Sequence, residues 1–175
     1  NFGTPTSNEI ILTIHKDGNV GVGTEDPAAK LDVRGTLNVG VDDTGSDVSF
    51  YGADSGSRLF WDESKMAFRA GRDSDGTHWV SDSVGIYSLA MGYDTKATGD
   101  FSTVAGGWWN TASDTCAFVG GGYSNDANGQ YSFVGSGWYN TTSSFCACVG
   151  GGAGNDADGL YATIGGGYHN DVSNH

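Results

Sequence analysis

The chain has only two prolines in 175 residues, and its glycines follow no three-residue period, which excludes a collagen-like helix. Basic side chains are scarce: eight Lys and Arg stand against 21 Asp and Glu, a formal net charge of −13. Nucleic acid and anionic lipid are therefore poor partners. No apolar run approaches the ~18 residues of a membrane helix and no signal peptide opens the chain, so membrane insertion is not expected. Cysteine is limited to Cys116, Cys146 and Cys148, without a CxxC pair or neighbouring histidines, which argues against zinc held by thiolates. Cys146 and Cys148, two apart in a strand, do not suit a disulfide. The three read as buried free thiols packing as small hydrophobes, with pairing between chains left open. What the chain does have is glycine, 30 residues or about 17% against a usual ~7%. Hydrophobic residues make up 37%, with five Trp and eight Tyr, a composition that argues against disorder. The first residue is Asn1 and not Met, and the chain reads as a segment of a longer protein.

Self-similarity after residue 85 fixes the expected architecture. Gly92, Gly107, Gly122, Gly137, Gly152 and Gly167 recur every fifteen residues, and so do Asn110, Asn125, Asn140, Asn155 and Asn170. Leu89, Val104, Val119, Val134, Val149 and Ile164 form a third ladder, the expected repeat core. Ala97, Ala112, Ala127, Thr142, Ala157 and Val172 form a fourth. Within Tyr131–Gly135 the alternation puts Ser132 and Val134 on one face and Tyr131 and Phe133 on the other. A small residue plus Val or Ile suits a narrow interior. The opposite, aromatic face is too large to leave wet and calls for a partner. The expectation is an all-β chain with a parallel β-solenoid of 15-residue coils over 85–175. Six coils stacked at ~4.8 Å would rise about 29 Å. Glycines supply positive φ at the corners, and the asparagines tolerate the left-handed region and stack as an amide ladder. Trp108, Trp138, Cys116 and Cys146 overlay a second period of thirty, a sign of pairwise duplication.

Tyr131–Gly135 and Tyr123–Gly129 resemble the head repeats of trimeric autotransporter adhesins. The resemblance implies a left-handed β-roll and a homotrimer over 85–175. The Gly-Gly-Gly runs, Cys and Trp depart from that pattern. Residues 1–80 do not repeat. Ile10–Ile14 reads as a strand, Lys16–Asn19 as a turn, and Asp26-Pro27 as the N-cap and first residue of one helical turn. Lys30–Val33 and Thr36–Val39 read as further strands. Gly18–Thr24, Pro27 and Lys30–Gly35 resemble a module common in phage tail fibres, which implies an intertwined trimeric element. Phe50–Gly52, Leu59–Asp62, Lys65–Arg72 and His78-Trp79 resemble the segment that precedes head repeats in secreted fibre-like proteins. The expected domains are therefore a fibre-type trimeric β module at 1–45, a β-rich connector at 46–84, and a β-roll of six repeats at 85–175. Seven of the eight basic residues precede residue 80, so the repeats are almost purely acidic.

Candidate sites are few. Trp108, Trp109, Tyr123, Trp138 and Tyr139 can form a stripe on which sugar rings stack. Aromatics at coil corners equally seal a trimer interface, the preferred alternative. Gly151–Asp156 resembles a calcium-binding nonapeptide, but that motif recurs every nine residues and this one every fifteen. Asp156 and Asp171 fall on adjacent coils as weak metal candidates, yet two oxygen donors are too few for calcium unless a trimer adds more. No metal or other cofactor is expected. Nothing marks a nucleophile, and Gly135-Ser136-Gly137 lacks the elbow spacing of a hydrolase, so no enzyme is expected. Asn140-Thr141-Thr142 is a chance sequon. An ice-binding face fails because positions 103, 118, 133, 148 and 163 read Thr, Phe, Phe, Cys, Thr. The resulting expectation is an extracellular structural and adhesive segment, a viral or phage tail fibre for host attachment, with a cell-surface glycan or protein as receptor. A bacterial surface-adhesin head is the alternative owner of the same fold. A polysaccharide depolymerase would need a carboxylate pair that nothing marks.

Overall fold

The computed structural model describes residues 12–34, 48–52 and 56–173. The chain divides into two units, Asn1–Val39 and Gly40–His175. In the first, β1 (Leu12–Ile14), β2 (Val20–Val22) and β3 (Leu31–Val33) form one sheet. β1 pairs with β2 antiparallel around a tight turn, and β3 lies parallel to β2. Directly paired residues share a face. Ile14, Val20 and Leu31 therefore form one row, and Leu12, Val22 and Val33 the next. This all-aliphatic face is not buried: Ile14 is 71% exposed, and Leu12 and Leu31 are each 58% exposed. The helical turn anticipated at Asp26-Pro27 does not form; the segment is a run of bends. Thr24 holds it instead, its hydroxyl donating to Asp26 O and accepting from Asp26 N. Ile10-Ile11 and Thr36–Val39 lie outside the described residues.

In the second unit β4 (Val48–Tyr51), β5 (Ser57–Asp62) and β6 (Ala67–Arg72) form an antiparallel meander. β6 then pairs parallel with β7 (Leu89–Tyr93). The stretch expected as a connector thus continues the same nine-stranded sheet as the repeats. That sheet receives Thr103–Val104, Phe118–Val119, Phe133–Val134, Cys148–Val149 and Thr163–Ile164 in turn. A six-stranded sheet takes the alternate short strands, from Lys96–Ala97 to Asp171–Val172. Every pairing among these short strands is parallel, for example Val119 with Val134 and Ala112 with Ala127. The result is a parallel β-solenoid.

Its interior is a column of small side chains. Val104, Val119, Val134 and Val149 are fully buried on one side, and Ala97, Ala112, Ala127, Thr142 and Ala157 on the other. Ile164 closes the first column at 6% exposure. Leu89 does not belong to it. Leu89 pairs with Thr103 and is half-buried, while the fully buried Ala90 stands opposite Val104. From Ala90 to Tyr93 is three steps, whereas from Val104 to the paired Trp108 is four. The first coil is thus one residue short between core and glycine, and the fifteen-residue count lands on the wrong neighbour.

Two corners per coil adopt the left-handed conformation. One column holds Phe101, Cys116, Tyr131, Cys146 and Tyr161 (φ 55° to 59°), the other Trp109, Ser124, Tyr139 and His169 (φ 52° to 57°). Such φ values are uncommon without glycine. Each corner amide is compensated by turning backwards. Most N–H groups donate to the next coil, as Phe118 N does to Ser132 O at 3.0 Å, whereas Tyr131 N donates to Thr115 O of the previous coil at 2.9 Å. The Asn residues are not the left-handed ones; they precede the strands of the second sheet. Glycine is required at the ladder beginning with Gly107 (φ 89°), where a Cβ would strike the carbonyl oxygen of Gly122 and the amide of Asn110.

Arg69 closes the N-terminal mouth of the interior. It pairs with Ala90, so its fully buried side chain continues the inner column. Its guanidinium donates to Ser88 O, Ser88 Oγ and Ala97 O at 3.1, 2.6 and 3.1 Å. Burial pushes its pKa down to about 10, against a smaller opposing effect from Asp62. Trp79, also buried, donates its indole N–H to Thr95 O at 3.1 Å, and Arg58 lies over its ring. The meander therefore caps the first coil, as a solenoid end requires.

Candidate functional site

The aromatic residues singled out in the sequence come together on one edge of the solenoid. Residues just after the glycine cluster pair from coil to coil: Tyr93 with Trp108, Trp108 with Tyr123, Tyr123 with Trp138, then Ala153 and Tyr168. The next residue in each coil is the left-handed corner, which adds Trp109 and Tyr139 beside them. Ring centroids run 5.4 Å from Trp108 to Trp109, 5.6 Å from Trp109 to Tyr123, 5.6 Å from Tyr123 to Tyr139 and 5.4 Å from Tyr139 to Trp138. The Trp108–Tyr123 and Tyr123–Tyr139 pairs meet edge to face, a favoured arrangement for aromatic quadrupoles. Trp108, Trp109, Trp138 and Tyr139 remain about half exposed, so ring faces are presented to solvent. Desolvation raises the Tyr123 phenol above its ordinary value, with Tyr139 adding to it. The ridge ends at Ala153-Gly154 and resumes at Tyr168.

Other aromatic columns lie elsewhere on the surface. Phe118 and Phe133 stack at 5.3 Å with planes 4° apart, and Phe145 bridges Tyr131 and Tyr161 edge to face. Tyr131 and Phe133 point outward and Ser132 and Val134 inward, as the alternation predicts. The cysteines are free, but not buried as expected: Cys116 is exposed, and Cys146 and Cys148 are half-buried. Two of them sit at left-handed corners, where side chains project away from the core.

The asparagine ladder is internal and structural. Asn125 is fully buried. Its amide nitrogen donates to Gly121 O, Gly137 O and Asn110 Oδ1 at 3.0, 2.9 and 3.1 Å. Its own Oδ1 accepts from the backbone and side chain of Asn140 at 3.0 and 3.1 Å. Asn140 and Asn155 repeat the pattern, and Asn110 and Asn170 end it.

Asp156 and Asp171 stand in register on adjacent coils. Burial, then the neighbouring Asp158 and Asp171, raises the Asp156 pKa. Among the described residues, the side chains whose ligand atoms lie close enough together to hold a metal ion are others: Asp73, His78 and Asp94, within 4.8 Å of one another. His78 Nδ1 lies 3.2 Å from Asp73 Oδ1, 3.1 Å from Asp75 Oδ1 and 3.8 Å from Asp94 Oδ1. Asp94 accepts from Ser74 N and Ser74 Oγ at 2.6 Å each, and from the Trp109 indole N–H at 3.2 Å. These hydrogen bonds hold the Asp94 carboxyl below its ordinary pKa although burial opposes them. Asp94 thus roots the aromatic ridge in the capping loop. The sequence reading passed over this cluster. Its signal was Asp73-Ser74-Asp75-Gly76-Thr77-His78, three donors in six residues; the partner Asp94 is visible only in the fold.

Compared with known proteins, the chain finds no counterpart: no family model matches it, nor does any curated protein or solved structure.

Proposed function

We propose that the chain is a structural and adhesive segment of a homotrimeric extracellular fibre, of the viral or phage tail-fibre type, that attaches to a host surface without catalysis. In this reading each fifteen-residue repeat is one coil of a left-handed roll, and three rolls lie side by side. The observation that carries it is the all-aliphatic sheet face of Leu12, Ile14, Val20, Val22, Leu31 and Val33, none of it buried in the single chain. A three-stranded sheet with such a face is marginal in water unless the face is covered. Copies of the same chain supply an identical apolar face, and a closed threefold arrangement covers all three. The aromatic columns of the solenoid support the reading from a second unit. Tyr131 and Tyr161 are 50% and 68% exposed, ring surface that a neighbouring roll would cover. The ridge of Trp108, Trp109, Tyr123, Trp138 and Tyr139 offers half-exposed ring faces to a cell-surface glycan, and three copies make weak sugar contacts multivalent.

Light scattering on the 175-residue chain, with and without reductant, tests the assembly. A mass near three times 18.1 kDa in both conditions is expected; a monomer overturns the fibre reading. Glycan-array binding tests the ridge. Trp108→Ala with Trp138→Ala should abolish array binding and leave the mass unchanged, whereas loss of the trimer would assign the ridge to the interface between chains.

A further inference from the structure

We propose that Asp73, His78 and Asp94 bind one divalent transition-metal ion of the zinc class, which clamps the capping loop to the first coil. The donors come from two places in the chain, the loop after β6 and the left-handed corner after β7, and meet at one point. An ion with metal–nitrogen and metal–oxygen bonds of about 2.0–2.2 Å sets its ligand atoms roughly 3 to 3.5 Å apart in tetrahedral or octahedral geometry. The ligand atoms of Asp73, His78 and Asp94 lie within 4.8 Å of one another, and the Asp73 and Asp94 oxygens stand 3.2 and 3.8 Å from His78 Nδ1, so modest side-chain adjustments bring them to coordination. One imidazole nitrogen with carboxylate oxygens is a donor set for zinc and its neighbours, and not for calcium or magnesium, which take oxygen throughout.

The charge arrangement points the same way. Asp73 and Asp94 are both 4% exposed, and the His78 side chain is 13% exposed. Two buried carboxylates beside a third share a single imidazole, which at most carries one positive charge. Burying like charges together is costly; the hydrogen bonds that Asp73 and Asp94 accept compensate both carboxylates and so keep them available as ligands. The carboxylates are also already oriented. Gly76 N and Trp79 N donate to Asp73 at 2.9 and 3.1 Å, and Thr77 N and Oγ1 to Asp75 at 2.9 and 2.7 Å. Ser74 and Trp109 fix Asp94. Such outer partners are characteristic of sites that hold a metal, because they fix the ligands and tune their basicity. The competing reading is a plain hydrogen-bonded network in which His78 Nδ1 is shared by Asp73 and Asp75.

The test uses the whole chain, stripped with chelator and titrated with zinc sulfate by calorimetry, with metal content measured after dialysis. One zinc per chain and a rise in melting temperature are expected. His78→Gln should weaken binding by more than about 100-fold, since loss of an outer partner alone typically costs 10–100-fold. Asp75 is exposed and reaches only His78 of the three, so Asp75→Asn serves as the variant that keeps the fold, checked by circular dichroism; it should weaken binding by less than His78→Gln does. His169→Gln should bind as the unaltered chain does. X-ray absorption at the zinc edge should show nitrogen and oxygen neighbours without sulfur. No saturable binding, binding unchanged by His78→Gln, or sulfur in the zinc shell each overturns the proposal; the first leaves a hydrogen-bonded His–Asp network.

Discussion

Thr142 occupies a position where Ala97, Ala112, Ala127 and Ala157 line the interior, and its fully buried hydroxyl has no hydrogen-bond partner. An unpaired buried hydroxyl costs roughly 1–3 kcal/mol. Thr142→Val keeps the shape and removes the polar atom, so it should raise the free energy of unfolding by an amount in that range, measured by denaturant titration. The outward neighbours in the same sheet carry a charge effect of opposite character. Burial raises the pKa of Asp126, partly offset by a hydrogen bond from Thr111, and that of Asp156, reinforced by Asp158 and Asp171. Both groups bind a proton more tightly folded than unfolded. Their contribution to stability is therefore present below the ordinary value of 3.8 and is lost as pH rises through the raised, folded values. Asp94 and Asp75 have lowered values and act in the reverse sense, losing their contribution as pH falls. The difference between Asp156→Asn and the unaltered chain isolates the first effect: the variant should be the more stable at neutral pH, with the gap closing in acid. A constant gap across that range would show that burial of Asp156 carries no charge penalty.

At the scale of an element, each short strand has two residues, too few to persist alone. What holds a coil is its ladder to the coils on either side, and the asparagines are the strongest rungs. Asn140 makes its bonds in both directions, to Asn125 and to Asn155, and its amide also closes on Ser136 O and Gly152 O at 3.1 and 2.9 Å. Asn140→Ala leaves buried carbonyls and amides unpaired and should cost about 3 kcal/mol or more. Asn170, exposed in the last coil, has a rung on one side only. Asn170→Ala should cost under about 1 kcal/mol. Equal losses in urea unfolding would mean that the ladder contributes nothing beyond local turns.

For the molecule as a whole, uncovered apolar surface in both units is the feature that demands explanation. Leu12 and Ile14 are mostly exposed in the single chain, so Leu12→Asp with Ile14→Asp should leave the solenoid interior intact. In a trimer the same changes place six carboxylates in an apolar interface. The double variant should run as a monomer in light scattering while retaining the circular dichroism of the solenoid. An undiminished trimer would show that the solenoid's aromatic columns suffice for assembly.

The parallel solenoid was legible in the sequence because its stabilising contacts are periodic. A residue stacks on its own counterpart one repeat away, so the Asn ladder, the Val column and the glycines announce themselves as spacing. The inward and outward faces of Tyr131–Gly135 followed from strand alternation for the same reason. Tertiary structure alone decided what breaks the period. The first coil is one residue short, which only the pairing of Ala90 with Val104 reveals. Arg69 is an ordinary basic residue in the sequence, yet it becomes the plug of an apolar interior because β6 adds itself to the sheet. Asp94 joins Asp73 and His78 because a left-handed corner turns it toward the capping loop. Contacts between unlike segments leave no repeat in a sequence, since a single meeting of two side chains depends on where the backbone carries them.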